Sequence, residues 1–178
     1  MFYQGKQVSE TLPRLKRIQT ELAEFHCVLV RKSIFDKIGL LDEKMLNTKE
    51  HLDFCMTVRE AGETVYFEPD SLVSYVPGSP QELADVHYYM LRWSNAWTLS
   101  SLDRIKDKWN LAEDGYFKNK YKKMGWRRHM TLIEPLARKL TFGIGSGLLT
   151  RIIAKFEHGL NWYLTRRHRL SNQNFQER

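Results

Sequence analysis

Apolar and polar positions alternate between two kinds of spacing along this chain, and the change of spacing divides it. Phe25 to Val30 (FHCVLV) is a short apolar, partly β-branched run, the length of a buried strand. The polar, basic residues 1–23 precede it, with a helix-like pattern from Leu12 to Ala23. Ile34, Phe35 and Ile38 then predict a short amphipathic helix over Arg31–Ile38, closed by Gly39. Leu40–Asn47 reads as a loop. A second helix is expected over Thr48–Ala61, with Thr48 as N-cap and Gly62 as the stop. Thr64–Phe67 (TVYF) and Leu72–Val76 read as strands around a Glu68-Pro69-Asp70-Ser71 turn, and Pro77-Gly78-Ser79-Pro80 ends the pattern.

Beyond Pro80 the expected segments are all helical: Glu82–Trp97, Ser100–Trp109, Gly115–Met124 and Arg127–Leu140. Phe142–Gly147 is a break, and a last amphipathic helix runs from Leu148 to His168, followed by a fraying tail. The pattern predicts an α/β part over 1–110, a partial sheet with flanking helices, then a basic helical extension over 111–178.

Composition narrows this picture. The 178 residues suffice for one ordinary domain, and 42% hydrophobic with 12% aromatic residues can fill a core, which argues against disorder. A formal charge of +7 favours phosphate-bearing partners, whether nucleotide diphosphates, nucleic acid or an anionic membrane. Cys27 and Cys55 match neither a disulfide framework nor a zinc motif, so both read as small buried hydrophobes in a reducing compartment. The N-terminus lacks the apolar core of a secretory leader, and no stretch reaches the about 20 apolar residues of a membrane span. A cytoplasmic, soluble or membrane-peripheral protein is expected.

Five short pieces carry the chemistry. They are Val30-Arg31, Ile38-Gly39-Leu40-Leu41-Asp42-Glu43, Glu50-His51-Leu52-Asp53-Phe54-Cys55, Arg59-Glu60-Ala61-Gly62 and Pro69-Asp70-Ser71-Leu72-Val73. In order and spacing they resemble the acceptor-side half of family-two glycosyltransferases. These inverting, nucleotide-sugar enzymes of GT-A type run there from an Arg-led helix through an iGgFDE loop, an ED-x-D helix start and an Arg-x-x-G helix end to a P-x-a-x-v strand. The resemblance implies a partial GT-A-like sheet and transfer of a sugar from a nucleotide donor to an acceptor hydroxyl. An inverting transferase needs a base within hydrogen-bond reach of that hydroxyl, and a carboxylate in a first helical turn is held rigidly and favoured in ionised form.

Three departures accompany the resemblance. His51 stands where the family's pair has its aspartate, so Glu50 and His51 are both base candidates. Asp53 would orient the acceptor, with Asp42 and Glu43 as loop contacts. Ser74-Tyr75-Val76 carries none of the histidine that many relatives place after the last strand. Finally, the family's donor half holds the nucleoside and an Asp-x-Asp motif that binds Mg²⁺ or Mn²⁺. These residues contain no Asp-x-Asp, so a divalent metal is implied by the family while its ligands are not found. The site would need a donor-binding half from elsewhere, leaving a non-catalytic fragment or partner subunit as the second reading. An uncovered sheet edge would favour self-association.

Other features have two readings each. Trp93 and Trp97, four apart, would share a helix face that packs on the core or lines a sugar groove; His26 and Arg31 flank the first strand and are further acceptor-contact candidates. Lys118–Arg128 mixes basic and aromatic residues as RNA-binding segments do, although a solvated helix face explains it better, so nucleic acid is not expected. The helix within 148–169 has apolar residues at helical spacing beside Arg151, Lys155, Arg166, Arg167 and Arg169. It fits an anionic membrane surface or a cover for the core.

Overall fold

The structure, a computed structural model, describes residues 7–74, 82–143 and 147–176. The chain is mostly helical, with one two-stranded antiparallel sheet among the described residues. It divides into two compact units, Met1–Glu43 with Lys49–Gly78, and Lys44–Thr48 with Ser79–Arg178.

In the first unit, α1 (Val8–Thr11) and a single 3₁₀ turn at Leu12–Arg14 replace the helix expected over Leu12–Ala23. Pro13 is tolerated in a first turn, but the chain leaves it extended at Leu15. β1 (Ile18–Thr20) then pairs with β2 (Val65–Phe67) in the register Ile18↔Phe67, Gln19↔Tyr66 and Thr20↔Val65. Two β-branched residues and the cross-strand ladder outweigh the helical spacing of this stretch. Arg17 reinforces the pairing, 4.8 Å above the Tyr66 ring and 3.4 Å from Glu68.

The strand expected at Phe25–Val30 is absent. Phe25 and His26 turn, and Cys27–Val30 follow as irregular backbone with Leu29 fully exposed. No described strand lies alongside to take up its N–H and C=O groups, and an unpaired strand is not stable. Its apolar side chains part company. Phe25 and Val30 pack inward, while Cys27 is exposed rather than buried.

α2 (Lys32–Ile38) ends at Gly39 (φ 78°) and α3 (Glu50–Glu60) is followed by Gly62 (φ 79°), the left-handed stops that the glycines anticipate. The N-cap position of α3 is Lys49, not Thr48, and its own φ is 76°. Phe54, Cys55 and Val58 of α3 form the core here, packed by Ala23, Phe25, Val30, Ile34, Phe35, Ile38 and Val65. Phe54 meets Phe35 face-on (5.9 Å) and Phe25 edge-on (5.7 Å). Leu72–Ser74 belong to no strand, and the rest of the expected strand and the Pro77–Pro80 break lie outside the described residues.

Burial pushes the Cys55 thiol above its ordinary value; a hydrogen bond from the Ala23 N–H (3.3 Å) opposes this, and the nearby Glu24 charge adds to it. The folded state holds this proton more tightly than the unfolded chain, so the group removes stability as pH rises through the ordinary thiol range. The two thiols therefore separate by reactivity. A maleimide reagent at neutral pH labels Cys27 in the native protein and reaches Cys55 only in denaturant. Labelling of both thiols at equal rates under native conditions would contradict this packing.

The second unit is helical. Instead of one helix over Glu82–Trp97, a 3₁₀ turn (Leu83–Asp85) leads into α4 (Val86–Arg92), and α5 (Asn95–Trp109) starts afresh after Ser94. Buried Ser94 caps α5, accepting from the Trp97 N–H at 3.1 Å. The break leaves Trp93 in the turn after α4 and Trp97 in the first turn of α5, so they do not share one helix face. α6 (Gly115–Lys122) is capped by Asp114, which accepts from the N–H groups of Tyr116 and Phe117. α7 (Trp126–Arg128) runs through a π-helical stretch, His129–Ile133, into α8 (Glu134–Leu140), where Pro135 lacks an N–H to continue the regular ladder.

α9 (Gly147–Gln176) extends past His168 through most of the tail that was expected to fray. α4 packs against both α5 and α9, so the expected boundary near residue 110 falls between two helices of one unit. Leu102, Ile105, Met90 and Ala137 are its most buried apolar residues.

Candidate functional site

Of the expected site residues in the first unit, Glu50, His51 and Asp53 lie in the first turn of α3. Lys49 enters the helix in the left-handed region (φ 76°), where a side chain costs about 1–2 kcal/mol relative to ordinary helical backbone. Strained non-glycine residues of this kind cluster at functional sites. Next in sequence, Glu50 is half-buried, and its Oε2 is a buried atom with no hydrogen-bond partner. A carboxylate oxygen removed from water without a partner is destabilising. It sits in the first turn, where the helix dipole favours negative charge.

His51 is held in place. Its Nε2 lies 3.4 Å from Glu24 Oε1, an ion pair when the imidazole is protonated, and its ring meets Phe25 edge-on at 6.2 Å. The other Glu24 oxygen is 3.8 Å from His26 Nδ1, so one carboxylate joins His26 and His51. Sequence reasoning named both histidines and missed Glu24. A lone glutamate ahead of an apolar run carries no local signal, and only the turn at Phe25–His26 brings it to α3.

Asp53 is buried one turn below Glu50, with its backbone bonded to Lys49 and Thr57. Asp42 is half-buried and Glu43 exposed in the loop after Gly39. Arg31 is exposed at the N-cap position of α2. Nearby, Glu63 is held below the usual carboxylate range by its hydrogen bond and charge pairing with Lys37, with a smaller contribution from Arg31.

Trp93 and Trp97 belong to the second unit. The Arg127 guanidinium covers the Trp93 ring at 4.3 Å, and Trp97 meets the His168 ring at 5.3 Å. The first arrangement occupies one ring face that a sugar would use.

Glu50 and the Glu24–His51 pair bring one carboxylate with an unpartnered buried oxygen and one oriented imidazole to the same helical turn. Either can accept a proton from a hydroxyl. Among the described residues no three His, Cys, Asp or Glu side chains converge as metal ligands. Comparison with protein-family models, with curated proteins and with solved structures finds no match.

Proposed function

We propose that this chain is the acceptor-side segment of an inverting, nucleotide-sugar glycosyltransferase with a GT-A-like fold, working with a donor-binding half. The observation that carries the reading is Glu50 Oε2, buried and without a partner at the helix start where the five in-register pieces require a base. Glu50 takes the acceptor hydroxyl proton as the oxygen bonds to the anomeric carbon and the bond to the nucleoside diphosphate breaks. His51, held by Glu24, is the alternative base or the group that orients the acceptor. Asp53 stiffens the turn from its buried position, and Asp42 and Glu43 contact the acceptor from the loop. Every step assigned to these residues is proton transfer or positioning. An exposed free thiol at Cys27 suits a cytoplasmic setting.

One observation favours the second reading, a non-catalytic partner subunit of the same fold. The first unit leaves Leu22, Val28, Leu29, Leu40, Leu41, Leu72 and Val73 exposed, apolar side chains that another polypeptide would cover. Both readings predict such a partner; only the enzymatic one predicts turnover. The chain, tagged and purified gently from its native cells so that a donor-binding half stays with it, should consume a nucleotide sugar when divalent cation is supplied. Partner retention without turnover across a panel of nucleotide sugars would leave the subunit reading and end the enzymatic one.

A further inference from the structure

The exposed face of α9 has a chemistry that the transferase reading does not use. Leu148, Ile152, Phe156, Leu160 and Tyr163 fall at intervals of one helical turn and form a single stripe; Leu148 is 71% and Phe156 74% exposed. Arg151 and Lys155 run in an adjacent row that Arg166 continues, and Trp162 is exposed beside it. The one acidic residue of α9, Glu157, is turned the other way, with its side chain only 12% exposed against Arg128 at 2.6 Å.

The opposite face fixes this orientation. Asn161 is buried and donates to the Met90 carbonyl at 2.6 Å, and Thr165 is buried one turn later. With Glu157 locked to Arg128, the helix cannot roll its apolar stripe inward. The stripe therefore stays outside, flanked by cations and free of acids. No helix of the described residues is long and apolar enough to cross a membrane, so such a face would lie along a surface.

We propose that the outer face of α9 is a docking surface for an anionic phospholipid bilayer. Leu148, Ile152 and Phe156 enter the acyl boundary, Trp162 and Tyr163 sit at headgroup level, and Arg151, Lys155 and Arg166 meet the lipid phosphates. Nucleic acid would engage the cations and leave Leu148 and Ile152 unexplained. A second copy of this chain would bring the same cations against each other. An anionic bilayer satisfies both rows.

The test is co-sedimentation of the full chain with vesicles of phosphatidylcholine and phosphatidylglycerol, against phosphatidylcholine alone. The chain should bind the mixed vesicles and remain in solution with the neutral ones. Arg151→Gln/Lys155→Gln/Arg166→Gln should weaken binding on the order of a hundredfold. Ile152→Glu/Phe156→Glu, on the same exposed face, should abolish it at unchanged thermal stability. Equal binding to both vesicle types, or binding unaffected by either variant, would overturn the proposal. So would vesicle-free chain that runs as a dimer and is dissociated by Ile152→Glu/Phe156→Glu, or chain that binds RNA and not vesicles.

Discussion

Arg128→Met lowers the unfolding free energy by about 3–5 kcal/mol, because it strands a carboxylate that is only 12% exposed. Arg128 is almost fully buried, and its Nε donates to Glu157 Oε1 at 2.6 Å while Nη1 reaches the Trp93 carbonyl and Asn95 Oδ1. Removing the guanidinium leaves Glu157 without its counter-charge and the Trp93 carbonyl without its donor. Gly125 shows how closely this side chain is seated. It adopts φ 76°, and a Cβ there would lie 3.3 Å from Arg128 Nη2. Adding Glu157→Met to Arg128→Met removes the stranded charge and should recover much of the loss. Urea denaturation followed by tryptophan fluorescence gives both numbers. A single-variant loss below about 1 kcal/mol would mean that the pair behaves as an exposed one.

The second large effect is on turnover. In the complex with a donor-binding half, Glu50→Gln should lower kcat by about 10²–10⁴-fold, the usual contribution of a positioned base. The substitution keeps the shape of the side chain, so stability should change little. His51→Gln should cost less if His51 only orients the acceptor. The reverse order, with Glu50→Gln nearly silent and His51→Gln severe, assigns the base to His51. Glu24→Gln then separates the roles further: of the two base candidates it touches His51, so its effect on turnover should follow that of His51→Gln.

How much of this was readable in the sequence depends on whether the signal was local. Gly39 and Gly62 end α2 and α3 as anticipated, because a left-handed stop is a property of one residue. β2 at Val65–Phe67 was likewise written in its β-branched and aromatic residues. Phe25–Val30 failed for the opposite reason. Its pattern is that of a strand, but a strand exists only beside another, and the pairing went to Ile18–Thr20. The helix predicted there lost to that same non-local ladder. Between Trp93 and Trp97, the periodicity continued through Ser94 while its cap ended one helix and started the next. That Glu50, His51 and Asp53 share the first turn of one helix was legible from their spacing. The Glu24 partner of His51 was not, because a turn makes that contact rather than a motif.

The central claim is transfer with inversion at the first turn of α3, and the anomeric configuration of the product tests it most directly. Incubating the native complex with an α-linked nucleotide sugar and reading the anomeric proton coupling of the product by NMR should give a β-linkage. That product should be lost with Glu50→Gln and reduced less with His51→Gln. An α-linked product, or a β-linked one formed equally well by both variants, would contradict the account.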